Sequence, residues 1–256
     1  MWCACSRSAW LWAGLLVLLS ACGAWGKGSA QAGPRTQGRA PVATSAPTVP
    51  AGASPTAIPR RWDSLDCTGQ ERLLRALAPS TTDAATQALA RAGVQVLCAL
   101  RAARWDLVAD FVHPRAGVRF SPDAHWSDDD VRFAPDELAG LLHDPTVWIW
   151  GFEPGSGRPL ALTFAEYAAR YVYDGPYWER SRPGLDTRQG ASTVVDNHRA
   201  YWPAARVVEF HLPGTAAYGG LDWRSLRLIF VPGEELPDGL PGTWCLVAIA
   251  HDAWAP

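Results

Sequence analysis

Lysine is nearly missing from this chain: Lys27 is the only one in 256 residues, so all other side-chain positive charge is arginine, apart from any protonated histidine. Long apolar runs are missing too. The longest near the N-terminus, Ala9 to Leu19, is eleven residues, well short of the roughly twenty a membrane-spanning helix needs. No Cys-x-x-Cys spacing exists, which removes support for zinc or thioredoxin-type chemistry. There is no Gly-x-Ser-x-Gly elbow, His-Glu-x-x-His pair, P-loop or dinucleotide-binding glycine fingerprint. Asp128-Asp129-Asp130 lacks the following glycine and closing glutamate of a calcium loop, and reads as a solvated acidic turn. Nothing in the sequence calls for a metal or cofactor. Excess positive charge is lacking as well. Four of the 23 cations and none of the 25 acids precede Arg60, so residues 60–256 carry a net charge of −6. That excludes a nucleic-acid partner, which needs a positive surface.

What is present begins with an address. Arg7 supplies a weakly positive start, Ala9 to Leu19 an apolar core, and Ser20 and Ala21 small residues before a cut, which is the pattern of a secretory signal. Leu19-Ser20-Ala21-Cys22 resembles the bacterial lipobox. That resemblance implies removal of residues 1–21, acylation of Cys22, and a protein held on the extracytoplasmic face of a membrane. Two or three acyl chains, at about 0.8 kcal/mol per buried CH₂, hold a protein there durably. Residues 22–59 are rich in Pro, Ala, Gly, Ser and Thr with no hydrophobic period. They are expected to form a disordered tether.

Residues 60–256 are long enough for a single domain with its own core. Cys67, Cys98 and Cys245 remain once Cys22 and the signal are set aside; Cys67 with Cys98 is the expected pair, and Cys245 reads as a small buried hydrophobe. Helices are expected first: Gln70 to Ala78, a longer one from Thr82 or Asp83 to about Arg104, and Leu107 to Val112. A short strand at Gly117 to Phe120 and a hairpin of Val147–Trp150 with Leu160–Thr163 follow. Thr163 to Tyr173 reads as helix, and 174–204 as a long loop. Three strands close the chain, at Ala205–Leu212, Trp223–Val231 and Thr243–His251, apolar on both faces. The expected class is α+β, with N-terminal helices packed on a curved, mainly antiparallel sheet.

That order of elements, with Leu100-Arg101-Ala102-Ala103-Arg104-Trp105-Asp106-Leu107-Val108 as its helix-break-helix cue, resembles the nuclear transport factor two-like fold; the likeness covers roughly 84–254. The blocks His113 to Pro122, Gly219 to Leu228 and His251-Asp252-Ala253-Trp254 resemble exported bacterial lipoproteins of uncharacterised function. That likeness carries no activity with it.

Candidate site residues come from the last strands. Glu209 and His211 alternate onto one face of their strand. In a curved sheet they and His251 would look into one pocket, with Asp222 at the start of the neighbouring strand as a further candidate. Trp126, Trp178 and Trp202 fall in loops and are candidates for stacking on a ligand. Three readings remain open at this point. The favoured one is a lipid-anchored, non-catalytic binding or envelope-associated module. The others are an extracytoplasmic hydrolase or isomerase using Glu209, His211, Asp222 or His251, and a small-molecule binder with a cone-shaped pocket.

Overall fold

A computed structural model describes residues 61–78, 83–153, 156–233 and 243–254. Cys22, the signal segment 1–21 and the tether 22–59 lie outside the described residues, as does the turn between the last two strands. Helix α1 (Gln70–Leu77) precedes α2 (Ala84–Arg101), whose first turn is capped by Asp83 accepting from the amides of Ala85 and Thr86. Leu89, Val96, Leu97 and Leu100 of α2 repeat at helical spacing and are all buried. The helix ends about one turn before Arg104, because Ala103 takes a left-handed backbone with φ 53°. Cys67 and Cys98 form a disulfide, with their Cα atoms 5.8 Å apart, tying the chain before α1 to the buried end of α2.

A short helix α3 (Trp105–Val108) leads into β1 (Val118–Ser121) and β2 (Arg132–Phe133). The hairpin of β3 (Val147–Phe152) and β4 (Pro159–Thr163) forms a separate two-stranded sheet. Thr163 and Glu166 then make a reciprocal cap on α4 (Phe164–Tyr171). The 174–204 region differs from the expected loop. It contains α5 (Tyr177–Arg180), β5 (Arg182–Leu185) and α6 (His198–Tyr201). Arg-Pro-Gly-Leu has no alternating pattern, and it forms a strand because it lies along the edge of β6 (Arg206–Leu212). With β7 (Arg224–Pro232) and β8 (Trp244–Ala253), the main sheet runs β2-β1-β8-β7-β6-β5. All its pairs are antiparallel except β1 with β8. The fold is therefore α+β on a mainly antiparallel, mixed six-stranded sheet.

The sheet has two unlike sides. Val208, Phe210, Leu226, Leu228 and Phe230 point into the large core beneath the helices. Gly93 of α2 lies so close to β6 that an added Cβ would sit 2.7 Å from Cγ1 of Val208, so this helix backbone rests directly on the sheet. Phe120 of β1 is the aromatic hub, with Trp105, Phe133, Trp150, Phe164 and Tyr167 all at ring distances of 5.6–6.1 Å. The opposite side carries a smaller apolar cluster of Val207, Ile229, Val231, Cys245 and Val247 under Trp126 and Trp202. Beyond that cluster, towards the other end of the same three strands, this side turns polar.

Candidate functional site

Strand pairing brings the polar residues together. Glu209 pairs with Arg227 across β6 and β7, His211 with Ser225, and Ser225 with Asp252 of β8. Their side chains share the outer side of the sheet, and all five residues are buried. The Ser225 hydroxyl lies 2.9 Å from Oε1 of Glu209 and 2.9 Å from Nδ1 of His211, joining acid and imidazole without direct contact between them. Oε1 of Glu209 also accepts from the amide of Gln189 at 3.0 Å. With the Ser225 hydroxyl donating its hydrogen bond to Glu209, its oxygen is left to accept from Nδ1–H of His211. That arrangement favours the neutral tautomer with its lone pair on Nε2.

The 186–202 segment lies over this layer and is held by charge. Arg188 makes two bonds to Asp252, at 2.7 and 2.9 Å, and donates to the carbonyl of Val194. Asp196 receives Nη2 of Arg227 at 2.6 Å and sits 2.6 Å from Nδ1 of His198. Asn197 exchanges two hydrogen bonds with the backbone of Trp126. Arg227 approaches Glu209 and Asp252 at 3.6 Å each, an ion-pair rather than a hydrogen-bond distance. Accordingly, Oε2 of Glu209 and Nε and Nη1 of Arg227 make no hydrogen bond among the described residues. Burial raises the Glu209 carboxyl above its ordinary range, and Arg227 and the Gln189 amide only partly oppose this. Burial, helped by Arg182, lowers His211, with Asp252 pulling the other way. Burial also works against the charged form of Asp196, but the His198 hydrogen bond and Arg227 together hold it below the usual carboxylate range.

His211 forms part of the wall of an open cleft of about 440 Å³, together with Gln189, Leu221, Trp223 and Trp254. Trp223 is nearly buried, whereas Trp254 and Leu221 are 43 % and 50 % exposed. Gly190, Gly214 and Gly220 complete the wall, and at the first two nothing larger fits. A Cβ on Gly190 would fall 2.0 Å from the Trp223 ring, and one on Gly214 would fall 2.0 Å from the carbonyl oxygen of Gly220. Among the described residues, none lining the cleft carries an Asp, Glu, Lys or Arg side chain, and none offers a Ser, Thr or Cys nucleophile.

Several sequence expectations are corrected here. His251 does not share the pocket. It pairs with Leu226, so its side chain is on the helix side of the sheet, 3.4 Å from Asp174 and edge-on to Tyr171. Asp174 in turn binds Arg224 at 2.9 Å and Tyr177 at 2.7 Å. Asp222 does not line the cleft, although Leu221 and Trp223 beside it do. It closes the 213–222 turn by accepting from the amide and hydroxyl of Thr215. Trp126 and Trp178 are buried: Trp126 is edge-on to the half-buried Trp202 at 5.2 Å, and Trp178 donates to the carbonyl of Thr68. They anchor loops instead of presenting flat faces to solvent. Ser225, Arg227, Asp252, Arg188 and Asp196 complete the layer, and Trp254 supplies the exposed ring. The signal for the first two was available: a hydroxyl and a cation two residues apart in the otherwise apolar run from Ser225 to Val231.

Among the described residues, no group of three or more His, Cys, Asp and Glu is placed to hold a metal ion, and no helix is long and apolar enough to cross a membrane. No protein-family model, no curated protein and no solved structure matches the chain.

Proposed function

We propose that this chain is a lipid-anchored protein of the extracytoplasmic membrane face, and that its domain is a binding module taking its ligand in the cleft beside His211. The anchor rests on Leu19-Ser20-Ala21-Cys22 and the short apolar run before it. The binding reading rests on one observation. The cleft joins an exposed indole to an imidazole and, among the described residues, is lined by no Ser, Thr or Cys nucleophile, no carboxyl and no Lys or Arg. Small-molecule sites are built this way, from apolar walls and a few well-placed polar groups. A hydrolase or isomerase in this cleft would have to work with His211 alone, because Ser225 and Glu209 are fully buried behind it and His251 is on the other side of the sheet.

The test uses the full chain. Cys22→Ser is expected to shift the protein from the membrane pellet to the soluble fraction; retention in the pellet would remove the anchor. A soluble digest of cell-envelope polymer is expected to change the tryptophan emission of the wild type, and not that of Trp254→Ala. An equal response from both would rule out the cleft.

A further inference from the structure

We infer that the ligand of this cleft is an uncharged saccharide, with one sugar ring lying on Trp254 and a ring hydroxyl donating to Nε2 of His211. The inference rests on the binding reading above and adds the chemistry of the ligand.

Three observations carry it. First, among the described residues no charged side chain lines the cleft, and the nearest cation to His211, Arg182, is solvent-exposed on the neighbouring edge strand. A ligand with a carboxylate, phosphate or ammonium group would therefore lose hydration with no buried counter-charge to replace it. Second, the aromatic surface is divided between a nearly buried ring and an open one. Trp223 is fixed against Gly190 and lies 5.8 Å from the His211 ring, whereas Trp254 is left open to solvent. A rigid flat wall with an open indole beside it suits a stacked ring, which presents C–H groups on its face and hydroxyls around its edge. Third, the polar end of the cleft is an acceptor. The Ser225 hydroxyl donates its hydrogen bond to Glu209, which leaves its oxygen to accept from Nδ1–H of His211; in that tautomer the ring edge opposite Ser225 carries the unprotonated Nε2. An acceptor at that position calls for a ligand hydroxyl. An acyl chain has no group to satisfy it.

Calorimetry and tryptophan fluorescence on the full chain, in detergent, separate the alternatives. The probes are tetra-N-acetylchitotetraose and maltotetraose as neutral saccharides, tetragalacturonate as an anionic one, and trialanine as a peptide. At least one neutral tetrasaccharide is expected to bind. Because no charge takes part, its Kd should change less than about twofold between low and high salt. Trp254→Ala and His211→Phe should each weaken it at least about tenfold, the second by removing the acceptor while keeping a ring. Leu221→Ser, at an exposed position, checks the cleft by a route that leaves both aromatic and histidine residues in place. The wild-type melting temperature should persist in Trp254→Ala and Leu221→Ser. Failure of both neutral saccharides at about 5 mM, a concentration that detects even millimolar affinity, overturns the inference. Binding of tetragalacturonate or trialanine that is lost in Trp254→Ala also overturns the saccharide, while keeping the cleft as the site. If neither these probes nor the envelope digest responds to Trp254→Ala, the binding reading falls with it.

Discussion

Phe210, Leu226 and Leu228 are separated from Glu209, Ser225 and Arg227 by one strand thickness, yet the two sides of the sheet are held in different ways. The helix side is closed by area. Large apolar rings meet without any directional requirement, and each buried side chain contributes in proportion to the surface it removes from water. The outer side is closed by direction. Two guanidinium groups, three carboxyls, a serine and two histidines must each face a particular partner, and a mismatch leaves a buried polar atom uncompensated. Such a layer adds little net stability for its size. What it does provide is position. It fixes the 186–202 segment, and with it Gln189 and Gly190 at the rim of the cleft, and it sets the orientation of one imidazole.

The comparison predicts that the largest single loss lies on the helix side. Phe120→Ala removes the ring that five aromatic side chains surround, leaving a cavity that a rigid cluster refills poorly. A loss of about 4 kcal/mol is expected in urea unfolding. A loss below about 1 kcal/mol would mean that the aromatic cluster is loosely packed, and that area does not hold this side.

Next comes Arg227→Met. Removing the guanidinium leaves Glu209 buried without its ion-pair partner, with only the longer-range charge of Arg188, and Asp196 and Asp252 with one partner fewer each. The expected loss is about 3 kcal/mol. The sharper measurement adds Glu209→Gln. The amide oxygen can still accept from Gln189 and Ser225, the stranded charge is gone, and much of the lost stability should return. Additive losses in the double variant would show that the two residues do not act as a unit. On the helix side no second substitution of this kind can restore Phe120→Ala, because a cavity has no charge to cancel.

The contrast also explains how much of the molecule is legible in its sequence. Long, strongly periodic elements are: Leu89 to Leu100 shows the face of α2, and Glu209 and His211 share a side because a strand alternates with period two. What depends on registry between strands is not. His251 ends an apolar strand just as a site histidine would, but the pairing of Leu226 with His251 sends it to the helix side and gives the polar side to Asp252. A shift of one residue would have reversed the two. β5 was hidden for a related reason. Arg182-Pro183-Gly184-Leu185 has no strand pattern of its own and pairs only because β6 offers an edge. The loop tryptophans misled because a large ring in a polar loop serves equally well as an anchor, and only burial distinguishes the two roles.

The smallest expected effect tests a carboxyl without a close cationic partner. Asp130, in the loop between β1 and β2, is pushed up to about 6 by burial, against the opposing pull of the Ser127 amide and of Arg119. Its folded-state value is above its unfolded one, so its contribution to stability is complete below about pH 4 and is lost as the pH rises through about 6. Asp130→Asn keeps an oxygen for the Ser127 amide and removes the titration. The variant should match the wild type near pH 4 and exceed it near pH 7 by about 1 kcal/mol, a figure discounted because the loop is partly open to solvent. Urea unfolding at the two pH values measures the difference directly. A gap of the same size at both would show that the carboxyl is well solvated. The distinction between sides would then hold for the sheet alone, where Glu209 lies behind Arg227, and would not extend to the loops at its rim.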